Sequence, residues 1–344
     1  MKQIRRIIIS RTDSIGDVVL TLPICGILKN KFPEVEIYFL GKNYVKAIVE
    51  TSVHVDSFVS YDEILALTDD EQVNKIKELN ADVLIHVFPN KKIARIAKRA
   101  KIPVRIGTSH RLYHLFTCNK KVTFSRKKSN LHEAQLNTKL LKPLGIIKDY
   151  SLDELPDYYG LEKIPVLKPE LSKLIKADKF NLILHPKSKG SAREWGVENF
   201  DKLINLLAKS DFNIFITGTE HEGELIRPLI EKNKSLITDL TGKMSLTDLV
   251  AFISKSDGLL AASTGPLHIA AALGINAIGI YAPMIPIHPG RWAPIGKHAH
   301  YLVINKKCEK CRKGGACDCI MEIRPEDIAA KFKNMLSSYL FTAP

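Results

Sequence analysis

No run in this 344-residue chain is long and apolar enough to read as a membrane-crossing helix. The most apolar stretch, Leu259 to Pro283, is broken by Pro266, His268 and Gly274 and reads as buried core. Met1 to Ser10 starts basic, but its apolar run is too short for a signal peptide. It reads as a first β-strand, and the expectation is a protein that stays in the cytoplasm. Cysteine is scarce, six residues in all, which excludes a scaffold built on disulfides. A GxGxxG turn is absent, which removes the dinucleotide fingerprint. Internal repeats and low-complexity tracts are also missing. Acidic residues are outnumbered, 37 against 51 basic, and the net charge of +14 calls for an anionic partner. Aromatics are 7 % of the chain. Between Lys91 and Lys128, where cations crowd, only Tyr113, Phe116 and Phe124 interleave them. Base-stacking proteins need more, so a membrane surface or a phosphorylated substrate is expected and a nucleic acid is not.

What is present is a steady alternation of short apolar runs with helical patterns. Ile7 to Ile9, Glu36 to Leu40 and Asp82 to Val87 read as strands, with helices over Val19 to Lys31, kinked at Pro23, and Lys91 to Ala100. A second set follows at Phe180 to His185, Phe212 to Thr217, Gly258 to Ala262 and Ala277 to Tyr281. Asp149 to Lys179, rich in Pro, Asp, Glu and Lys, separates the sets as a linker. Pro325 to about Leu340 carries Ile328, Phe332 and Leu336 at helical spacing. Such alternation predicts an α/β protein with parallel strands covered by helices. Two Rossmann-like domains of similar size then imply a cleft between them.

Three strand-to-helix turns could carry chemistry. Arg11-Thr12-Asp13-Ser14-Ile15-Gly16-Asp17 follows the first strand and bears two carboxylates, one of which could be a general base; helix capping accounts for such residues equally well. His185 to Trp195 places Lys187, Ser188, Lys189, Ser191 and Arg193 in one loop, suited to a departing diphosphate. A solvated basic loop has the same composition. Most informative is Ser263-Thr264-Gly265-Pro266, between an apolar run and an Ala/Leu-rich helix. Proline suits the first helical position, Ser263 or Thr264 can cap it, and open N–H groups at a helix start attract phosphate. Glu222, in Thr217 to Glu224, could bond ribose hydroxyls, although acids are ordinary in a first helical turn. Cys308, Cys311, Cys317 and Cys319 form a CxxC-x5-CxC cluster. Its CxC half is tighter than usual zinc spacing, so thiols without metal are expected, with a structural zinc as the alternative.

In order along nearly the whole chain, these residues resemble glycosyltransferase family 9, the bacterial heptosyltransferases of the lipopolysaccharide inner core. The likeness rests on Ser14 to Asp17 with Leu20 to Pro23, on Arg105-Ile106-Gly107, and on His132-Glu133 with Asn137. Further along it rests on Arg193-Glu194-Trp195, the Gly218 loop, Lys243 to Leu246 and Ser263 to His268. The resemblance implies a GT-B architecture: an acceptor-binding domain over 1–160, a nucleotide-sugar-binding domain over 175–322, and a last helix, 323–344, returning to the first domain. It implies an inverting, metal-independent transfer, usually from ADP-heptose, at the cytoplasmic face of the inner membrane, with no cofactor required. Asp17 matches the catalytic carboxylate, and Asp13 lies outside that match. Thr264 and Gly265 match the diphosphate contacts, Glu222 the ribose contact and Met244 the adenine contact. Lys187, Ser188, Arg193, Ser263 and His268 complete the expected donor site; Ser14, Gly16, Arg105, Arg111 and His132 are expected at the acceptor. Two positions depart from the family: Arg193 stands for a Lys, and Ser263 for an Asp that meets sugar hydroxyls. GT-B folds also host nucleotide-sugar epimerases, which would not need a basic acceptor face.

Overall fold

Every run read above as a strand forms one in the computed structural model, which describes residues 3–126, 129–284, 288–312 and 317–342. Lys127 and Lys128 of the basic run, and Met1 and Lys2, lie outside the described residues. The first sheet comprises β1 (Arg6–Ser10), β2 (Glu36–Gly41), β3 (Ser57–Ser60), β4 (Val83–His86), β5 (Val104–Thr108) and β6 (Lys120–Val122). The second comprises β7 (Phe180–His185), β8 (Phe212–Ile216), β9 (Ile237–Asp239), β10 (Gly258–Ala262), β11 (Asn276–Tyr281) and β12 (Ala299–Val303). Every neighbouring pair is parallel. A parallel strand is covered on both faces, which is why Ile7, Ile8 and Ile9 are all fully buried and why the runs do not alternate.

The sheet orders are β3-β2-β1-β4-β5-β6 and β12-β11-β10-β7-β8-β9. Counted from the first strand of each sheet, both are the doubly wound order 3-2-1-4-5-6. The chain divides into two compact units, Met1–Lys163 and Ile164–Pro344. The first part of the expected linker belongs to the first unit: Tyr159 is buried there and Ser52 bridges Leu161. Gly26 allows this approach, because a Cβ at that position would lie 2.4 Å from the Tyr158 carbonyl oxygen.

The expected Val19–Lys31 helix is two helices, α1 (Ile15–Val19) and α2 (Pro23–Lys31). Pro23 occupies the first turn of the second, where its missing N–H costs nothing. In α3 (Lys91–Arg99), Asn90 caps the start by accepting from the Lys92 and Ile93 amides. Its Ile93, Ala94, Ile96 and Ala97 are buried, while Lys91, Lys92, Arg95, Lys98 and Arg99 are exposed. The basic run there is therefore the outer side of an amphipathic helix.

The final helix is α4 (Pro325–Thr342). Its Ile328, Phe332 and Leu336 lie in the second unit's core cluster with Phe180 and Phe200, and the helix packs on α5 (Val197–Leu207). Gly258, without a side chain, makes room for the Phe332 ring. An apolar stripe buries against the nearest apolar face, and here α5 supplies it.

Candidate active site

In a doubly wound sheet the ligand crevice opens beyond the carboxyl ends of the strands where their order reverses. In the first unit that place is between β1 and β4, and the loop leaving β1 is Arg11 to Asp17. Arg11 is its hub. The guanidinium donates through Nε to Asp13 Oδ1 at 2.7 Å, through Nη1 to Glu133 Oε1 at 3.1 Å, and through Nη2 to Asp17. Only 3 % of its side chain is exposed, against 18 % for Asp17 and 21 % for Asp13, so the carboxylates meet solvent and the cation does not. Burial opposes the charge on Arg11, but Asp17, Asp13 and Glu133 together outweigh it and hold the guanidinium firmly protonated.

The two aspartates differ. Asp17 also accepts from the Ser14 hydroxyl, and its place in the first turn of α1 suits a negative charge. Burial pushes the Asp13 carboxyl up to about 6, with Arg11 pulling it down and the Asp17 charge adding to the rise. Beneath them Arg126 donates to Glu133 at 2.9 Å and to Asn137 at 3.0 Å, and Asn137 donates to the Leu20 carbonyl at 3.1 Å. Glu133 is buried and shared by two arginines, and it holds both in place. Sequence reasoning noticed Glu133 and Asn137 but assigned Arg11 no role. The available signal was an arginine followed by two carboxylates directly after a buried strand.

The order of the second sheet reverses between β7 and β10. The loops there are Pro186 to Gly196 and Ser263 to Gly265, the two that sequence reading chose for a diphosphate. They touch: the Ser191 hydroxyl donates to the Ser263 carbonyl at 3.5 Å. Lys189 and Gly190 adopt left-handed φ of +48° and +79°, which turns the first loop back on itself. Inside it Glu194 accepts from Lys187, from the Ser188 amide at 3.0 Å and from the Ser188 hydroxyl at 3.2 Å. Lys187 and Ser188 are thus braced by a carboxylate. Trp195 anchors the loop's end, fully buried and donating to the Ile323 carbonyl at 2.9 Å.

Thr264 is the N-cap residue of α6 (Gly265–Ala272), with Pro266 in the first turn. Its hydroxyl makes no capping hydrogen bond. It is buried without a hydrogen-bond partner among the described residues, and it sits beside the first N–H groups of the helix, which have no partner within the helix itself. One turn on, His268 is buried and its amide donates to the Thr264 carbonyl at 3.3 Å. Glu222 is the third residue of α7 (Glu220–Leu225), and its Oε2 takes the Thr219 amide and hydroxyl in a capping box. The Gly242 amide donates to the Gly218 carbonyl at 2.9 Å, which joins the Glu222 loop to the loop carrying half-buried Met244.

Three further residues expected at the acceptor are placed as follows. His132 is buried and caps Glu133–Thr138 by accepting from the Ala134 amide at 3.2 Å. It thereby positions Glu133 beside Arg11. Arg105 donates to the carbonyls of Thr117 at 2.7 Å and of Ile102. It is level with Ile8 through Leu84, two rungs before the end of β1, and its side chain ties β5 to the segments on either side of it. Arg111 is exposed at the start of α8 (Leu112–Thr117).

Comparison with known proteins adds the family. The model for glycosyltransferase family 9 (heptosyltransferase) matches residues 72–318. Among curated proteins, the lipopolysaccharide core heptosyltransferase OpsX of Haemophilus influenzae is 23 % identical over 303 residues, covering 81 % of this chain and 79 % of that one. Of solved structures, a family 9 glycosyl transferase from Veillonella parvula superposes with a TM-score of 0.81 at 20 % identity, covering 97 % and 98 % of the two chains. The E. coli heptosyltransferase WaaC with ADP superposes with a TM-score of 0.72 at 19 % identity, covering 96 % and 99 %. The fold is that of the GT-B transferases. With its two doubly wound sheets and a family match spanning most of its length, the chain belongs to glycosyltransferase family 9 and is a glycosyltransferase.

Proposed function

We propose that this glycosyltransferase moves a heptosyl group from an ADP-activated donor to the lipopolysaccharide inner core, with inversion at the anomeric carbon. The reading is carried by the start of α6, where a buried Thr264 hydroxyl, without a partner among the described residues, sits at the switch point of the second sheet. The names of OpsX and of WaaC with ADP support the donor and the acceptor class. In this reading Thr264 and Gly265 donate to the diphosphate, and Lys187 and Arg193 offset the charge that develops as it leaves. Met244 lies against the adenine, and Glu222 takes the ribose hydroxyls through Oε1, its other oxygen being used in the cap. Asp17 removes the proton of the acceptor hydroxyl as that oxygen attacks the anomeric carbon. Ser263 favours one variation. A hydroxyl in place of the family's carboxylate alters the contact to the donor sugar, which suits a transferase using another nucleotide-sugar. Calorimetric titration tests the reading: ADP should bind and GDP and UDP should not, and Thr264→Val should weaken ADP about tenfold. Preference for GDP or UDP would overturn it.

Protonation of Asp13 sets an expected pH dependence. Its carboxyl titrates near 6. Below that pH Arg11 is balanced by Asp17 and Glu133 alone and pairs more tightly with Asp17, whose carboxylate is then less free to meet the acceptor hydroxyl. The value of kcat/KM should therefore drop as pH falls through about 6, by up to about tenfold. Asp13→Asn, fixed in the neutral form, should show the low-pH value at every pH. A variant profile with the wild-type step would rule this out.

The acceptor reading includes a membrane surface, at the inner membrane's cytoplasmic face. No helix among the described residues is long and apolar enough to cross a membrane. Helix α8 instead exposes Leu112 by 74 % and Phe116 by 70 %, one turn apart, with Leu115 half out beside them. Arg111 precedes them, and α8 packs on α3 with its exposed cations. Apolar side chains flanked by cations suit an anionic bilayer. Leu112→Ser/Phe116→Ser should cut sedimentation with phosphatidylglycerol vesicles several-fold and leave ADP binding unchanged. Equal sedimentation would remove this face from the proposal.

A further inference from the structure

Four thiols gather in the second unit, between β12 and α4, and the transfer reaction uses none of them. Cys308 precedes the short helix Glu309–Arg312 and Cys311 lies within it, and Cys319 opens the turn Cys319–Glu322 two residues after Cys317. All four Sγ atoms lie within 4.8 Å of one another. Cys308 and Cys317 are 3.4 Å apart, and Cys317 and Cys319 are 3.0 Å apart. These are not disulfides, which need about 2.0 Å, and all four cysteines are free. Zinc–sulfur bonds of about 2.3 Å in a tetrahedron set neighbouring sulfurs about 3.8 Å apart. The cluster has that scale.

Two backbone amides point at the sulfurs. The Cys311 amide donates to Cys308 Sγ at 3.5 Å, and the Cys319 amide to Cys317 Sγ at 3.4 Å. Both halves of the motif thus supply a donor that favours a thiolate, the outer support that metal-bound ligands need. The CxC half, short by sequence, is closed by the same kind of hydrogen bond as the CxxC half. Around a divalent ion four thiolates carry a net charge of two minus, and Lys306 and Lys307 precede the first of them. Cys311 and Cys319 are buried in a core cluster with Trp195, Ile320 and Ile323.

We propose that Cys308, Cys311, Cys317 and Cys319 hold one zinc ion as a closed, structural tetrathiolate site. All four positions are filled by protein, so the ion takes no part in transfer. It fixes the turn whose Ile323 and Met321 carbonyls accept from the Trp195 indole at 2.9 Å and from Asn199 at 2.9 Å. Through Trp195 it supports the base of the Lys187–Arg193 loop. This inference is independent of the donor and acceptor assigned above.

Elemental analysis of the full-length protein, purified from zinc-supplemented cells without chelator, should find one zinc per chain. Exchange for cobalt(II) should produce the visible bands of a tetrahedral ion with near-ultraviolet thiolate charge transfer. Cys311→Ser and Cys319→Ser should lose the metal, whereas Cys25→Ser and Cys118→Ser, in the first unit, should keep it. Zinc well below one per chain in the wild type overturns the proposal. So does another ion at full occupancy, or a cobalt spectrum without thiolate charge transfer. The wild-type measurements decide even if a variant fails to fold.

Discussion

Asp17→Asn is expected to abolish transfer, lowering kcat by about 10²- to 10⁴-fold, the range that a positioned general base contributes. ADP should bind the variant as it binds the wild type, because the helix start carrying Thr264 belongs to the other unit. The choice of Asp17 over Asp13 rests on surroundings. Asp17 sits at the start of α1, held by Ser14 and by one arm of Arg11. Asp13 is driven toward its neutral form near pH 6, and its backbone carbonyl takes the Tyr44 hydroxyl. Asp13→Asn should therefore cost no more than about tenfold. Single-turnover rates with saturating nucleotide-sugar separate the two. If Asp13→Asn were the dead variant and Asp17→Asn the active one, the assignment would be reversed.

Arg11→Met is the substitution expected to damage the fold most. The arginine is buried and bonded to Asp13, Asp17 and Glu133. Losing the buried cation leaves two partly exposed carboxylates side by side; removing one partner of a fully buried ion pair costs about 3–5 kcal/mol, and solvent at Asp13 and Asp17 keeps the cost below that. Arg126 still pairs with Glu133, so Asp13 and Asp17 bear the loss. The cost depends on pH with a definite sign. Asp13 has a folded pKa near 6, above the unfolded value of 3.8, and without Arg11 it rises further. A carboxyl raised in this way favours folding at low pH and loses that contribution as pH increases through the folded value. The variant should therefore recover stability relative to wild type as pH falls from 8 toward 5. Arg11→Lys keeps a charge without the fork and should lie between the two. Urea midpoints at pH 8 and pH 5 measure this. An unchanged midpoint at pH 8 would show that Arg11 does not hold the loop.

Much of the architecture was legible in the chain. Runs such as Ile7 to Ile9 and Leu182 to Leu184 have no polar alternation because parallel strands are covered on both faces. The loops after β1, β7 and β10 were found because turn chemistry is local: a Gly or Pro, a capping hydroxyl, a charge. Other features were not legible, for reasons of range. His132 caps the helix carrying Glu133, a role visible only once the helix start is known. The last helix showed its apolar stripe in sequence, but nothing in the stripe named α5 as the face it would meet.

Strand runs, helix starts and the order of the motifs follow from residue types within a few positions of one another, and the sequence by itself determined these. Arg11 meeting Glu133 across 122 residues was decided by the tertiary structure alone. So were the raised Asp13 carboxyl and the convergence of four thiols. Each depends on distance through space and on exclusion of water, and neither exists until the sheets have formed.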